Sequence, residues 1–143
     1  MKNLFLAAFV ALIQTWFPPT ASAEELSDAI YQKYGVEVVA LSDNAVENYE
    51  WILAIGKALD LLSESGEILA KIVRNGEKSL KFLLTEKPDS SGAAYYNPDA
   101  HGITINETPK FGDFFGSKHI WDNGILRAAK LFIVMHELGH AYD

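Results

Sequence analysis

The sequence of 143 residues contains no cysteine. Disulfide bonds are therefore excluded, and so is a lipoprotein anchor, which needs a cysteine at its cleavage point. Positive charge is scarce too, with 12 Lys and Arg against 19 Asp and Glu and a formal net charge of -7. Because no basic cluster is present, nucleic acid and anionic membrane surfaces are poor partners. With 49% apolar residues, the length suits one globular domain that rests on its core or on bound metal.

The N-terminus carries a short apolar run, Leu4 to Ile13, which is too short to cross a bilayer comfortably as a permanent helix. Lys2 precedes this run, and Ala21-Ser22-Ala23 follows it. A basic start, a short apolar stretch and a small-x-small ending are typical of a secretory signal peptide, although an N-terminal anchor or a buried helix is an alternative. We predict a signal peptide over 1–23, a mature domain over 24–143, a secreted or periplasmic location and no stable membrane anchor.

Helical and strand-like patterns alternate along the mature chain, which predicts an α+β fold with a small mixed sheet. The predicted elements begin with a helix from Leu26 to Tyr34 ended by Gly35, a strand over 36–41, and a helix capped by Ser42 or Asp43 that runs to Leu62. A helical piece over 66–74 and a strand over 80–84 follow. The remaining elements are a hairpin of 93–96 with 103–106, an ordered loop over 107–121 and a last helix from Gly124 to about Tyr142. Because that last helix is almost wholly apolar, we expect it to be buried in the interior.

The last helix ends in the sequence HELGHAYD, His136 to Asp143. Residues four apart lie on the same helix face, so His136 and His140 can direct their imidazoles to a common point. Neutral imidazole is a good zinc ligand, and zinc lowers the pKa of a bound water to about 7. Glu137 lies about 100° around the helix axis, within reach of that water, and can act as its general base. The motif therefore predicts zinc-dependent hydrolysis of a carbonyl substrate.

HELGHAYD resembles the active-site helix of zincin metallopeptidases and is most similar to the anthrax lethal-factor-like family, whose motif has the form HE-x-GHA-x-D. The upstream AYYNPDAHGITIN resembles the edge hairpin that such domains place before the active-site helix, where an extended substrate can pair with the strand. The resemblance implies a zincin-like domain with one zinc ion and protein or peptide substrates. By position it assigns His136 and His140 as ligands and Glu137 as the base.

The family takes its third zinc ligand, usually a glutamate, and a tyrosine that stabilises the transition state from a helix further downstream. No residues follow Asp143, so this C-terminal subdomain is absent from the sequence. Three interpretations remain open. The first, which we favour, is that the sequence is a fragment of a longer enzyme. The second is that Asp143 is the third ligand, although its position is better suited to orienting a ligand than to binding the metal. The third is that the protein is a non-catalytic secreted remnant or binding protein with an incomplete zinc site.

Lesser candidates have simpler interpretations. His101 and His119 are isolated in polar loops and are expected at the surface. Carboxylates in the same region are expected to be solvated, and aromatic side chains to pack in the core. One of Tyr95 and Tyr96 is expected to point inward, because neighbours on a strand face opposite sides. The carboxylates are Glu107, Asp113 and Asp122, and the aromatic residues are Phe111, Phe114 and Phe115.

Overall fold

The computed structural model describes residues 22–86, 92–109, 111 and 123–143. In chain order the described elements are α1 (Ala23–Tyr34), β1 (Glu37–Ala40), α2 (Ala45–Ser63), α3 (Gly66–Val73), β2 (Arg74–Asn75), β3 (Lys78–Ser79), β4 (Lys81–Thr85), β5 (Ala94–Asn97), β6 (Gly102–Asn106) and α4 (Asn123–Tyr142). The mixture of helices and a small mixed sheet confirms the predicted α+β class.

Helix α1 begins and ends at residues that supply its missing hydrogen bonds. The hydroxyl of Ser22 accepts a hydrogen bond from the Glu25 backbone N–H at 3.2 Å. Gly35, with a positive φ of 69°, ends the helix and donates its N–H to the Tyr31 carbonyl, as the sequence predicts. The proposed signal peptide lies outside the described residues apart from Ser22 and Ala23. Cleavage after Ala23 would separate the Ser22 cap from this helix.

The main sheet has the strand order β1-β4-β6-β5. The first three strands are parallel, and β5 runs antiparallel to β6 along the outer edge. This pair is the predicted hairpin, with Tyr96 opposite Ile103. Strands β2 and β3 form a separate two-stranded hairpin around Gly76, which the sequence pattern did not indicate. The edge position of β5 determines what the last helix can contact.

The helices pack on one face of this sheet and share a single apolar core with it. Side chains at alternate strand positions, which point to the same face, are fully buried there: Phe82, Leu84, Ile103 and Ile105. Helix α2 begins at Asn44, whose side chain accepts from the Glu47 N–H at 3.2 Å. The predicted caps, Ser42 and Asp43, lie two residues and one residue too early. Trp51 of α2 is fully buried and donates its indole N–H to the Glu107 carbonyl at 3.0 Å.

Two ion pairs join α2 to α4. Lys130 pairs with Glu47 at 2.9 Å, and Arg127 pairs with Glu50 at 3.0 Å. As the α2 number rises by three, the α4 number falls by three, so the two helices run antiparallel. Lys130 is only 4% exposed, and its ammonium lies 5.5 Å from the centre of the Trp51 ring. These contacts fix which side of α4 faces the core.

The prediction that the last helix is buried in the interior is wrong. Only one side of α4 is buried, through Ala129, Ile133, Val134, Leu138 and Ala141, whereas Phe132 on the opposite side is 60% exposed. The prediction counted apolar residues and assumed neighbours all around the helix. In the described part of the chain, α4 packs against α2, α3 and β5, which lie on its buried side.

None of the helices among the described residues combines the length and apolar character needed to cross a membrane.

Candidate metal centre

The motif residues divide between the two sides of α4. His136 and His140 lie on the exposed side, while Glu137 is 7% exposed and faces the core. This division follows from the helical period, because residues four apart share a face and adjacent residues are about 100° apart. The helix therefore holds two imidazoles towards solvent and one carboxylate towards the neighbouring strand β5.

The two imidazoles are in contact with each other. The Nε2 atoms of His136 and His140 are 3.2 Å apart, and the rings stand almost perpendicular, at 88° with 4.8 Å between their centres. Two nitrogens that bind one tetrahedral zinc at the usual bond length of 2.0–2.1 Å would be about 3.3 Å apart. The observed separation is close to that distance, and it also suits an N–H···N hydrogen bond between the two rings.

Two histidines make up half of a tetrahedral coordination shell. Within the described ranges, no set of three or more His, Cys, Asp or Glu side chains is grouped so as to hold a metal ion. Asp143 is exposed at the end of α4 and donates its backbone N–H to the Gly139 carbonyl at 3.3 Å. It does not join the histidine pair in this structure, and its role as an orienting partner stays a prediction.

Glu137 lies against the edge strand. Burial raises the pKa of its carboxyl above the ordinary value of 4.5, and the Tyr96 backbone N–H lies close enough to oppose that rise. The charges of His136 and His140 also oppose the rise. The carboxyl is therefore buried on the same helix that carries the two exposed histidines, and its role as a base stays a prediction.

The register of the hairpin explains why the Tyr96 N–H can reach Glu137. The Asn106 N–H donates to the Ala93 carbonyl at 2.8 Å, so residues 93 and 106 form a hydrogen-bonded pair. Hydrogen-bonded and non-hydrogen-bonded pairs alternate in an antiparallel ladder, so the backbone groups of Ala94 and Tyr96 face away from β6. The outward edge of β5 therefore runs beside the motif.

The expectation that His101 lies at the surface is wrong. His101 is fully buried, with a positive φ of 48° at the end of the hairpin turn. Its Nε2 lies 2.7 Å from the Ile72 carbonyl oxygen of α3, and its Nδ1 lies 2.7 Å from the Tyr96 hydroxyl. The polar loop misled the prediction, because the ring turns inward and supplies a hydrogen bond to a carbonyl in the last turn of α3. His119 lies outside the described residues.

The expectation of a solvated carboxylate at Glu107 is also wrong. Glu107 is 1% exposed, and one of its carboxyl oxygens forms a hydrogen bond with the Ser42 hydroxyl, while the other has no hydrogen-bond partner among the described residues. Burial raises the pKa of this carboxyl, and the Ser42 hydrogen bond partly offsets that rise. Because the side chain is bound to the turn before α2, it is held apart from the histidine pair.

The remaining candidates behave as ordinary packing residues or lie outside the described residues. Tyr96 packs against the core and Tyr95 is 57% exposed, which confirms that the two face opposite sides. Phe111 stacks on Trp51, with ring centres 6.5 Å apart, as expected of a core aromatic. The positions outside the described residues are Asp113, Phe114, Phe115 and Asp122.

Sequence reasoning missed the contact between Tyr96 and His101. The hairpin was predicted, and its register places Asn97 opposite Gly102. Tyr96, which precedes Asn97 in β5, and His101, which precedes Gly102 in the turn, therefore lie close together. That register was the one available signal. The link from His101 to α3 joins segments 29 residues apart and had no counterpart in the sequence pattern.

No protein family, curated protein or solved structure matches this chain.

Proposed function

We propose that this protein is a secreted, zinc-dependent metallopeptidase-like protein that hydrolyses peptide bonds. The observation that carries the proposal is the 3.2 Å separation of the His136 and His140 Nε2 atoms beside a buried glutamate on the same helix. Surface histidines four apart adopt many rotamers, whereas these two converge at the spacing that tetrahedral zinc requires. The resemblance of HELGHAYD to the zincin motif supports the same conclusion.

His136 and His140 would hold the zinc ion, which supplies an activated water at neutral pH. Glu137 would take the proton of that water and later pass it to the leaving amine. The Glu137 side chain is buried between α4 and β5, so packing would limit its motion before a substrate arrives.

The outward edge of β5 offers a place for the substrate. Apart from the Tyr96 N–H, which lies beside Glu137, backbone groups that face away from β6 can pair with an extended peptide, which gains affinity from main-chain hydrogen bonds. This edge lies against α4 and therefore beside the motif. An extended segment of a protein or peptide would then lie across the face that carries the histidines.

The second candidate is a secreted binding protein that keeps the fold without catalysis. The observation that favours it is the pair of metal-ligand side chains without a third in the described part of the chain. Catalytic zinc usually has three protein ligands and a water. The two candidates share the zinc-binding step and differ in turnover.

Zinc binding is tested first, by titration calorimetry and metal analysis of the purified full chain. We expect one zinc per chain, and none after His140→Ala. Because His140 is exposed, this substitution should change the free energy of unfolding of the metal-free protein by no more than about 0.5 kcal/mol. A variant that still binds zinc as tightly as the wild type would contradict the proposed site.

Turnover is tested with Glu137→Gln, which preserves shape but removes the base. Hydrolysis of an unfolded protein substrate should fall about 10²–10⁴-fold while zinc content stays at one per chain. Glu64→Gln, at an exposed position at the end of α2, is the matched control and should leave activity unchanged. Peptidase activity that survives Glu137→Gln would remove the enzyme proposal, and zinc binding without any activity would favour the binding protein.

A further inference from the structure

A small hydrogen-bond network joins the end of β6 to the turn that leads into α2. It consists of Glu107, which follows β6, Ser42 in the turn and Asn48 near the start of α2. One Glu107 carboxyl oxygen is hydrogen-bonded to the Ser42 hydroxyl, and the Asn48 Oδ1 lies 3.2 Å from the same hydroxyl oxygen. Because Glu107 is 1% exposed and Asn48 is 7% exposed, these groups must satisfy their hydrogen bonds mainly with one another.

The contacts of Asn48 determine where its side-chain oxygen lies. The Asn48 Nδ2 is 3.1 Å from the Ser42 carbonyl oxygen, and since a carbonyl can only accept, the amide nitrogen must face it. The Asn48 Oδ1 therefore faces the Ser42 hydroxyl and accepts from it. A serine hydroxyl carries a single hydrogen. When Asn48 accepts that hydrogen, none remains on Ser42 for Glu107.

The hydrogen between Ser42 and Glu107 must then come from the carboxyl group. An ionised Glu107 can only accept, so either its oxygen or the Asn48 Oδ1 would face the Ser42 oxygen with no hydrogen between them. A neutral Glu107 removes this conflict, because its O–H donates to Ser42 and the Ser42 hydrogen goes to Asn48. The Asn44 backbone N–H, 3.4 Å from the Ser42 hydroxyl oxygen, supplies a further donor. The neutral acid thus satisfies all the partners of this hydroxyl.

The surroundings of Glu107 also disfavour a negative charge. Its second carboxyl oxygen is buried and has no hydrogen-bond partner among the described residues. The charged groups that face this carboxyl come from three other segments: Glu47 of α2, Glu86 after β4 and Lys130 of α4. Lys130 lies 2.9 Å from Glu47, which compensates most of its charge. Burial, together with the two anions, raises the pKa of Glu107. This direction agrees with the count of donors.

We propose that Glu107 is a neutral carboxylic acid that donates its hydrogen to Ser42, and that the junction between β6 and α2 opens as the acid ionises. This junction is formed by Glu107, Ser42 and Asn48. Ionisation leaves two acceptors competing for the Ser42 hydrogen and places a charge in the interior. The Trp51 indole N–H, which donates to the Glu107 carbonyl at 3.0 Å, reports the opening. The proposal does not depend on zinc or on the motif of α4.

The direction of the bond is tested by NMR titration of the metal-free full chain, with carbon-13 in the glutamate carboxyl groups. The Glu107 resonance is assigned by its loss in Glu107→Gln, and it should titrate above the ordinary 4.5. Ser42→Ala removes the acceptor of the neutral acid, so the proton affinity of Glu107 should fall about tenfold, the effect of one net hydrogen bond. If Ser42 instead donates to a carboxylate, this variant should raise the proton affinity. A rise or an unchanged affinity would overturn the proposal.

Asn48→Ala tests the same count of hydrogens from the other side. It frees the Ser42 hydrogen to stabilise the ionised form, so the proton affinity of Glu107 should again fall, and an unchanged affinity would contradict the count. Ser63→Ala, which removes an exposed hydroxyl at the end of α2, is the matched control and should leave the titration unchanged. Calcium added at constant pH should also have no effect. A loss of the protonated resonance with calcium would overturn the proposal, because the oxygens would then bind a cation.

Opening of the junction is measured by hydrogen exchange of the Trp51 indole N–H. Glu107→Gln is the reference, because its amide is a neutral donor at every pH. The ratio of wild-type to Glu107→Gln exchange rates should rise about tenfold per pH unit between 4.5 and the Glu107 midpoint and stay constant outside that window. After correction for intrinsic rates, the Leu83 amide of the central strand β4 should remain better protected than the indole.

A ratio that stays constant at every pH would overturn the proposal, because ionisation of Glu107 would then have no effect on the junction. Equal protection of the Trp51 indole and the Leu83 amide would overturn it too, since the whole fold would then open together. A rising ratio with Leu83 still protected supports a local opening at this end of the sheet.

Discussion

The two ion pairs between α2 and α4 should differ sharply in their value to stability. Lys130 and Glu47 have side-chain exposures of 5% and 29%, whereas Arg127 and Glu50 have 53% and 20%. Removing one partner of a buried pair leaves a desolvated charge, which costs about 3–5 kcal/mol. An exposed pair contributes about 0–1 kcal/mol because water replaces the lost partner.

Glu47→Gln leaves the Lys130 ammonium buried beside the Trp51 ring and should lower the free energy of unfolding by about 3 kcal/mol. Lys130→Met leaves a carboxylate that water already reaches and retains an apolar stem, so the loss should be about 1 kcal/mol or less. The cost of breaking this pair therefore depends on which partner is removed. Glu50→Gln is the matched control, three residues along the same helix, and should cost about 0.5 kcal/mol.

Urea denaturation of the three variants measures these differences. With a slope of about 2 kcal/mol per molar urea, Glu47→Gln should shift the midpoint by about 1.5 M, and the other two by about 0.5 M or less. Equal shifts for Glu47→Gln and Glu50→Gln would refute the reasoning, because burial of Lys130 would then have no energetic consequence. A larger loss for Lys130→Met than for Glu47→Gln would refute it as well.

Three further outcomes are expected. Since burial raises the folded-state pKa of Glu107 above the ordinary 4.5, its stabilising contribution is fully present below that pH and lost as pH rises through the folded pKa. Urea midpoints should therefore decrease as the pH rises above 4.5, and they should decrease less in Glu107→Gln. An equal fall in the variant would contradict this. Gly35→Ala should cost about 1 kcal/mol, because φ is positive while a new Cβ meets nothing within 4 Å; Gly66→Ala, where space is also open and φ is ordinary, should cost nothing comparable. Mass spectrometry of the exported protein should give a chain that starts at Glu24, and a secreted product that retains Lys2 would contradict the predicted cleavage.

Most of the regular elements could be predicted from local patterns, because their causes are local. Gly35 ends α1 through its own backbone freedom, and the alternation of Leu80, Phe82 and Leu84 identifies β4 with one buried face. The hairpin of β5 and β6 follows from two β-prone runs around a turn. The cap of α2 was placed two residues early because several adjacent residues can serve, and only the path of the chain after β1 selects Asn44.

The candidate site could be identified from the sequence, but its surroundings could not. The spacing of His136 and His140 on a helix determines that their rings share a face, so their proximity was expected. Which side of α4 faces solvent depends on Lys130 reaching Glu47, a contact between residues 83 positions apart. Apolar composition gave the wrong answer there, since it says nothing about where neighbouring helices lie.

By itself, the sequence determined the α+β class, the edge hairpin and the shared helix face of His136 and His140, because each depends on spacing within a few residues. Tertiary structure alone decided that His101 and Glu107 are buried, that Glu137 lies beside the backbone of Tyr96, and that the histidines face outward. Those facts depend on contacts between distant segments. Burial and hydrogen-bond partners are properties of the packed chain, and local periodicity carries no information about them.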